Sequence, residues 1–359
     1  MPNRTEQKPA AAAKPGRQPP FEFGGITVAP GGRATVDLPL SLLSNHTPVT
    51  IPVRVLHGRR PGAQLFVSAA VHGDEINGVE IIRRLLKLKS LDHMRGTLLA
   101  VPVVNAFGFI GQTRYLPDRR DLNRCFPGVA KGSLAAQIAN LFMTEIVARC
   151  SHGIDLHTGS NHRTNLPQIR GNLSDPEALK MAEAFAAPAI LDAPRRSGSL
   201  RGEASIPVLV YEAGEALRFD EAAISIGVRG LVRVMEALGM IQQQERRRTI
   251  RPFRAEASSW VRSPLGGVLR APCRLGSFVH AGDRLGIVAD PFGETEVEVV
   301  AKDPGVVIGR LNLPVVNQGD ALFHVAKMID PTRAAGDRVQ QHIQDDIDRE
   351  FQSTDEEPD

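Results

Sequence analysis

Two short segments carry residues of the types that hold a metal ion. In "FVSAAVHGDEINGVEII" (66–82) an apolar run ends in His72 and Glu75, three positions apart, and passes into a helix-like pattern. In "GIDLHTGS" (153–160) a second apolar run delivers Asp155 and His157. Imidazole nitrogen and carboxylate oxygen are common zinc ligands, and a catalytic zinc takes three protein ligands while keeping a fourth position for water. His72, Glu75 and His157 form a close pair plus one distant ligand, a pattern unlike that of a zinc finger. The same set would accept other divalent ions. Asp155 lies two residues before His157 and so points along the same side of a strand. There it can accept a hydrogen bond from a ligand imidazole or stand beside an attacking water. His57, His152, His162, His280 and His324 each stand alone, and a lone histidine is ordinarily a satisfied core or surface residue. Cys125 has no base-pairing pattern around it and is not read as a nucleophile.

Ligands of this kind must be held on rigid elements. Residues 64–71, 97–105, 153–157 and 207–214 are short apolar runs of buried-strand type. Helical spacing runs through 76–89, with Ile76, Val79, Ile82 and Leu86 on one stripe, and through 133–150 and 227–240. Strands alternating with helices predict an α/β domain over 21–244, with a mainly parallel sheet covered by helices on both faces. Both ligand segments then fall at strand ends, where open α/β sheets bind their ligands. Gly73 is read as letting the backbone turn tightly between the first two ligands.

From about residue 259 the helical pattern stops. Residues 261–290 and 300–326 are loosely alike, sharing a Val-x-x-Gly-Asp-x-Leu ending. Two copies of one hairpin unit predict a small C-terminal all-β barrel-sandwich domain over 259–330. It resembles the biotinyl/lipoyl type, but the turn "DPFGETEVE" has no lysine to modify. A structural cap is therefore expected rather than a carrier. Residues 245–258, with "ERRRTIRPFR", are read as a linker, 1–20 as a disordered tail, and 331–359 as an acidic tail.

The 359 residues suffice for a large core, and 42% apolar with 23% charged residues is ordinary for a globular protein. A net charge of +3 and an arginine run with only Phe253 beside it give no nucleic-acid surface. Three cysteines without paired spacing point to a reducing compartment. There is neither a membrane-length apolar run nor a continuous apolar signal region, so a cytoplasmic protein with no membrane partner is expected. Homo-oligomerisation is left open.

Taken in order, "VHGDEINGVEIIRRLL", "RYLPDRRDLNRCFPG", "IDLHTGS" and "VLVYEAGE" resemble the succinylglutamate desuccinylase/aspartoacylase family, a branch of the zinc-carboxypeptidase-like fold. The resemblance spans about residues 45–326. It implies a sheet of zinc-carboxypeptidase-like type and one Zn2+ per chain, held by His72, Glu75 and His157. A zinc ion lowers the pKa of a coordinated water from about 15.7 toward about 7 and polarises a carbonyl. The resemblance further implies Glu212 as general base, with Glu215 its rival three residues on. Arg114 would stabilise the oxyanion, with Arg119 and Arg120 as substitutes. Asn123, Arg124 and Arg201 would grip a substrate carboxylate. The implied reaction is hydrolysis of the amide of a small acidic N-acyl amino acid. A carboxypeptidase-like enzyme removing C-terminal acidic residues would use the same groups, and an inactive binding protein is the reading from another class. One departure concerns substrate: aspartoacylase proper uses a tyrosine of its C-terminal domain, whereas Tyr115 and Tyr211 are the only tyrosines here.

Overall fold

Apolar runs at the centre of the chain become strands buried on both faces. The computed structural model describes residues 16, 18–243, 252–328, 337, 341 and 345. The chain begins with a small hairpin, β1 (Phe21–Phe23) and β2 (Ile26–Val28), then β3 (Arg33–Leu42), β4 (Pro48–His57) and β5 (Arg60–Ala69). Next come α1 (Asn77–Leu85), β6 (Arg95–Val101), α2 (Ala106–Ile110), α3 (Leu134–Glu145) and β7 (His152–Gly159). They lead to β8 (Arg163–Gly171), α4 (Pro176–Phe185), β9 (Ala189–Asp192), α5 (Leu200–Glu203), β10 (Val208–Glu215) and α6 (Glu221–Ala237). The C-terminal part is all strand: β11 (Phe253–Arg262), β12 (Gly267–Arg270), β13 (Phe278–Val279) and β14 (Arg284–Ala289). It ends with β15 (Glu296–Val300), β16 (Gly305–Leu311), β17 (Val315–Val316) and β18 (Ala321–Met328).

Twelve strands form one sheet in the order β13-β16-β18-β11-β9-β8-β10-β7-β5-β6-β4-β3. Along β5 the side chains alternate between two cores: Leu65, Val67 and Ala69 pack with residues of α1, α4 and α6, whereas Phe66 packs with residues of α3 and α5. Helices thus cover both faces, as expected. The sheet is mixed, and among its strands within 21–244 parallel pairings outnumber antiparallel ones. The central run β6-β5-β7-β10 is parallel and so is β8-β9-β11, with antiparallel pairs between and beyond them, β8 with β10 and β4 with β6. A short connection such as that between β3 and β4 permits antiparallel neighbours without a crossover helix.

Helix α1 is also rotated from its expected stripe. Ile81, Ile82 and Leu85 are buried, while Ile76, Val79 and Leu86 are partly exposed. Gly78 faces the sheet so closely that a Cβ there would lie 2.7 Å from the Cβ atoms of Ala69 and Leu156. Beside it the buried Asn77 bonds Ala213 O and receives Asp220 N–H, tying α1 to the start of α6. Polar anchoring, not hydropathy alone, sets the helix's rotation.

The C-terminal part is continuous with this sheet. Residues 253–258, expected as linker, are strand: β11 pairs in parallel with β9 from Phe253 onward, and β16 pairs with β8. The linker's residues 245–251 lie outside the described residues, as do 1–15 and nearly all of 331–359. At the end of the expected N-terminal tail, Gln18 is buried and donates to Gly96 O at 3.1 Å. The internal repeat is visible as an exchange. Strands β12 and β14 of the first copy join β17 of the second and the intervening β15, while β16 and β18 of the second join β13 of the first and the preceding β11. Both layers contribute to one apolar cluster that includes Leu269, Leu285, Val307 and Phe323. Among the described residues no helix is long and apolar enough to cross a membrane.

Candidate active site

The parallel strands β5, β7 and β10 bring the expected residues to one end of the sheet. His72 and Glu75 follow β5, His157 lies in β7, and Glu212 in β10 stands in register beside His157. Before them Ala70 takes a left-handed φ of 49°, a conformation unfavourable for a side-chain-bearing residue. Gly73 is needed for space rather than for a turn: its φ is ordinary, and a Cβ there would fall 1.9 Å from the carbonyl carbon of Gly108 in α2.

Ligand atoms of His72, Glu75 and His157 lie within 4.8 Å of one another, and all three residues are buried. Glu75 Oε1 lies 2.9 Å from His72 Nδ1, and Glu75 Oε2 lies 2.7 Å from His157 Nδ1. His72 Nδ1 is nevertheless out of hydrogen-bonding alignment, a buried nitrogen without a hydrogen-bond partner. The opposite ring nitrogens are both engaged. His72 Nε2 meets Asp121 Oδ1 at 2.9 Å, and His157 Nε2 meets Asp155 Oδ2 at 2.7 Å. Ser68 Oγ donates to the other oxygen of Asp155 at 2.7 Å. A carboxylate behind each imidazole fixes ring orientation and tautomer, the usual outer arrangement of histidine metal ligands. These residues therefore fit a divalent metal held by the two Nδ1 atoms and Glu75.

The electrostatics follow from this crowding. Burial alone would raise Glu75, but His72 and His157 outweigh it and hold the carboxyl well below its usual range. Burial alone would lower His157, but Asp155 and Glu75 carry it well above the usual imidazole range. Asp121 is half-buried, which alone would raise it, yet its contacts with His72 and Arg114 lower it. Arg114 bridges the two acids, donating to Glu75 Oε1 at 2.9 Å and to Asp121 Oδ2 at 3.0 Å.

Around this centre is a cleft of about 680 Å3, a size suited to a small organic ligand. Glu212 lines it, accepting from Asn165 Nδ2 at 2.8 Å with Arg170 Nε 3.4 Å away. Its rival Glu215 is past a bulge in β10 and accepts from Asn312 Nδ2 at 2.9 Å, with Arg218 beside it. Asn123, Arg124 and Arg201 all line the cleft. Asn123 Oδ1 already accepts Leu200 N–H at 2.9 Å, and Arg201 donates to Ala193 O and Pro194 O at 3.1 and 2.7 Å. Arg119 and Arg120 are exposed, and Arg120 pairs with Asp118. Cys125 donates to Asp121 O, and burial raises its thiol.

Sequence reasoning missed Asp121, Asn165, Arg163, Arg170, Trp260 and His324, all in or beside the cleft. Asp121 had a signal, since it opens the "DLNR" block and caps the short turn there by accepting Asn123 N–H. Trp260 and His324 had none, because only sheet pairing brings β11 and β18 to this place. The aromatic group that the C-terminal strands contribute is thus a tryptophan.

Fold and site together define a mixed α/β protein with a three-ligand candidate metal centre at a sheet edge. Residues 61–238 match the family model described as the succinylglutamate desuccinylase/aspartoacylase catalytic domain. The chain belongs to the succinylglutamate desuccinylase/aspartoacylase family. It is 28% identical over 302 residues to an N-alpha-acetyl-L-2,4-diaminobutyric acid deacetylase of Halomonas elongata, covering 79% of this chain and 87% of the relative. Among solved structures it resembles the product-bound ectoine utilization protein EutE (DoeB) of Ruegeria pomeroyi, at 24% identity and a TM-score of 0.75, covering 86% of this chain and 98% of that one. A succinylglutamate desuccinylase/aspartoacylase of Rhodobacter sphaeroides gives 24% identity, a TM-score of 0.74 and coverage of 83% and 96%. At that identity the structural likenesses bear on fold alone.

Proposed function

We propose that this protein is a zinc-dependent hydrolase that cleaves the amide bond of a small acidic N-acyl amino acid. The observation that carries the reading is the convergence of His72 Nδ1, Glu75 and His157 Nδ1 beside Glu212 in one cleft. His72, Glu75 and His157 would hold the ion, which when bound supplies Lewis acidity and lowers the pKa of water. Glu212 takes the proton of the attacking water and returns it to the leaving amine. The Asn165 amide keeps one oxygen of Glu212 fixed for that exchange. Arg114 offers a guanidinium, held by Glu75 and Asp121, to the charge that develops on the amide oxygen. Arg124 and Arg201 suit the substrate carboxylate, because a planar fork meets two oxygens at once. The amide nitrogen of Asn123 remains to support them.

An acidic substrate is favoured by charge. Arg124, Arg163, Arg195, Arg196 and Arg201 line the cleft, and among the described residues none pairs with a carboxylate. The same surplus suits an acidic C-terminal peptide residue. The strand order and site location support a sheet of zinc-carboxypeptidase-like type, with the C-terminal strands acting as a cap over the cleft.

The test is release of free amine from N-acetyl, N-succinyl and short-peptide substrates by metal-quantified protein, with and without a chelator. Chelator-sensitive cleavage of an acyl amino acid is expected. Cleavage of peptides alone would transfer the reading to an exopeptidase, and protein with neither stoichiometric metal nor turnover would exclude both.

A further inference from the structure

One of the cleft's arginines is held unlike the rest. Arg163 opens β8, opposite Leu311 of β16, and its guanidinium carbon lies over the Trp260 ring, 5.3 Å from the centroid. Trp260 of β11 stacks in turn on its cross-strand partner His324 of β18, with ring centroids 4.5 Å apart and planes at 8°. All three side chains line the same cleft as His157 and Glu212. His324 is 4% exposed; its Nε2 meets Ser258 Oγ at 2.8 Å, while its Nδ1 has no partner. Burial, with Arg170 nearby, pushes His324 down to about 3, so the ring is neutral at pH 7.

An arginine seated on an indole is held by the ring's face, which leaves its charge unneutralised. Among the described residues its guanidinium makes one other bond, a long one from Nε to Ala321 O at 3.4 Å, and Asp320 acts on it only at longer range, without an ion pair. A cationic ligand group here would be repelled by Arg163 and Arg170. An uncharged apolar group would strip water from a guanidinium and offer it nothing in return. A carboxylate would satisfy it.

We propose that Arg163, seated on Trp260 in the same cleft as His324, is a second anion subsite. It selects substrates bearing a carboxylate beyond the one gripped by Arg124. This rests on the deacylase reading for its substrate, but the binding itself can be tested without turnover. Trp260 is the single tryptophan of the chain, so intrinsic fluorescence reports on this subsite directly. Titration of the full-length protein with succinate should change the emission, whereas propionate and 4-aminobutyrate should act far more weakly. Arg163→Gln should weaken succinate binding roughly tenfold to a hundredfold, the worth of one charge-assisted contact. Arg163→Lys should restore part of it. In turnover, Arg163→Gln should raise KM for N-acetylglutamate and leave KM for N-acetylglutamine and both kcat values near wild type; N-succinylalanine and N-acetylalanine are the matching pair for an anion on the acyl side. Equal responses to succinate and propionate, a preference for the amine, or equal KM changes for charged and neutral substrates would overturn the subsite. Arg163-dependent succinate binding in a protein that hydrolyses none of these amides would uphold the subsite and refute the deacylase reading. Should Arg163→Gln not fold, the wild-type titration with the three probes decides alone.

Discussion

At the scale of residues, the centre is built in two shells that should respond differently to substitution. Glu212→Gln keeps the side chain's size and its contact with Asn165 but removes the base. Turnover should fall about 10²–10⁴-fold with metal content unchanged, as amine release and metal analysis on one preparation would show. Activity surviving the change would move the base role to Glu215 or Asp155. His72→Ala should abolish metal and turnover together. Asp121→Asn leaves every ligand in place but replaces the carboxylate behind His72, and metal affinity should drop about 10- to 100-fold. Competition with a chromogenic chelator measures that directly.

At the scale of elements, the proposed general base Glu212 depends on a strand contributed by the other end of the chain. Asn165, which holds Glu212, pairs with Gly214 on one side of β8 and with Gly309 of β16 on the other. A Cβ at Gly309 would come 3.0 Å from Asn165 Oδ1 and 3.2 Å from the Cβ of His324. Gly309→Val therefore overfills this seam. It should cost about 1–3 kcal/mol of stability and lower kcat through displacement of Asn165, while metal affinity should be unchanged. Denaturant unfolding beside a metal titration would separate these effects; a loss of metal with unchanged kcat per bound ion would contradict them.

At the scale of the whole molecule, one sheet runs from β3 to β13 and takes in β11, β13, β16 and β18 of the C-terminal part. Calorimetry should record a single cooperative transition, and two resolved transitions would mean that the halves fold as separate units. The seam also carries a pH dependence. His324 is depressed to about 3 in the folded chain, against about 6.5 unfolded, so between those values the unfolded state binds the extra proton. Stability should therefore be lost as pH falls below about 6.5, by about 2 kcal/mol between pH 7 and pH 5. His324→Gln should flatten that part of the stability curve, and an unchanged slope would show that the ring titrates normally.

What the sequence determined by itself was whatever contiguous residues carry. The apolar runs of β5, β7 and β10, the spacing of His72 and Glu75, the pairing of Asp155 with His157 and the C-terminal repeat all depend on neighbours in the chain. Burial periodicity and ligand chemistry are local, so they could be read directly. Tertiary structure alone decided which carboxylate stands behind His72, which acids Arg114 bridges, and how α1 is rotated over Gly78 and Asn77. It also decided that the expected linker is partly the strand joining both halves, and that Trp260 and His324 reach the cleft. Each of these follows from the register between strands distant in sequence, which is settled by the competition of many weak pairings across the sheet. No short stretch of this chain contains that information.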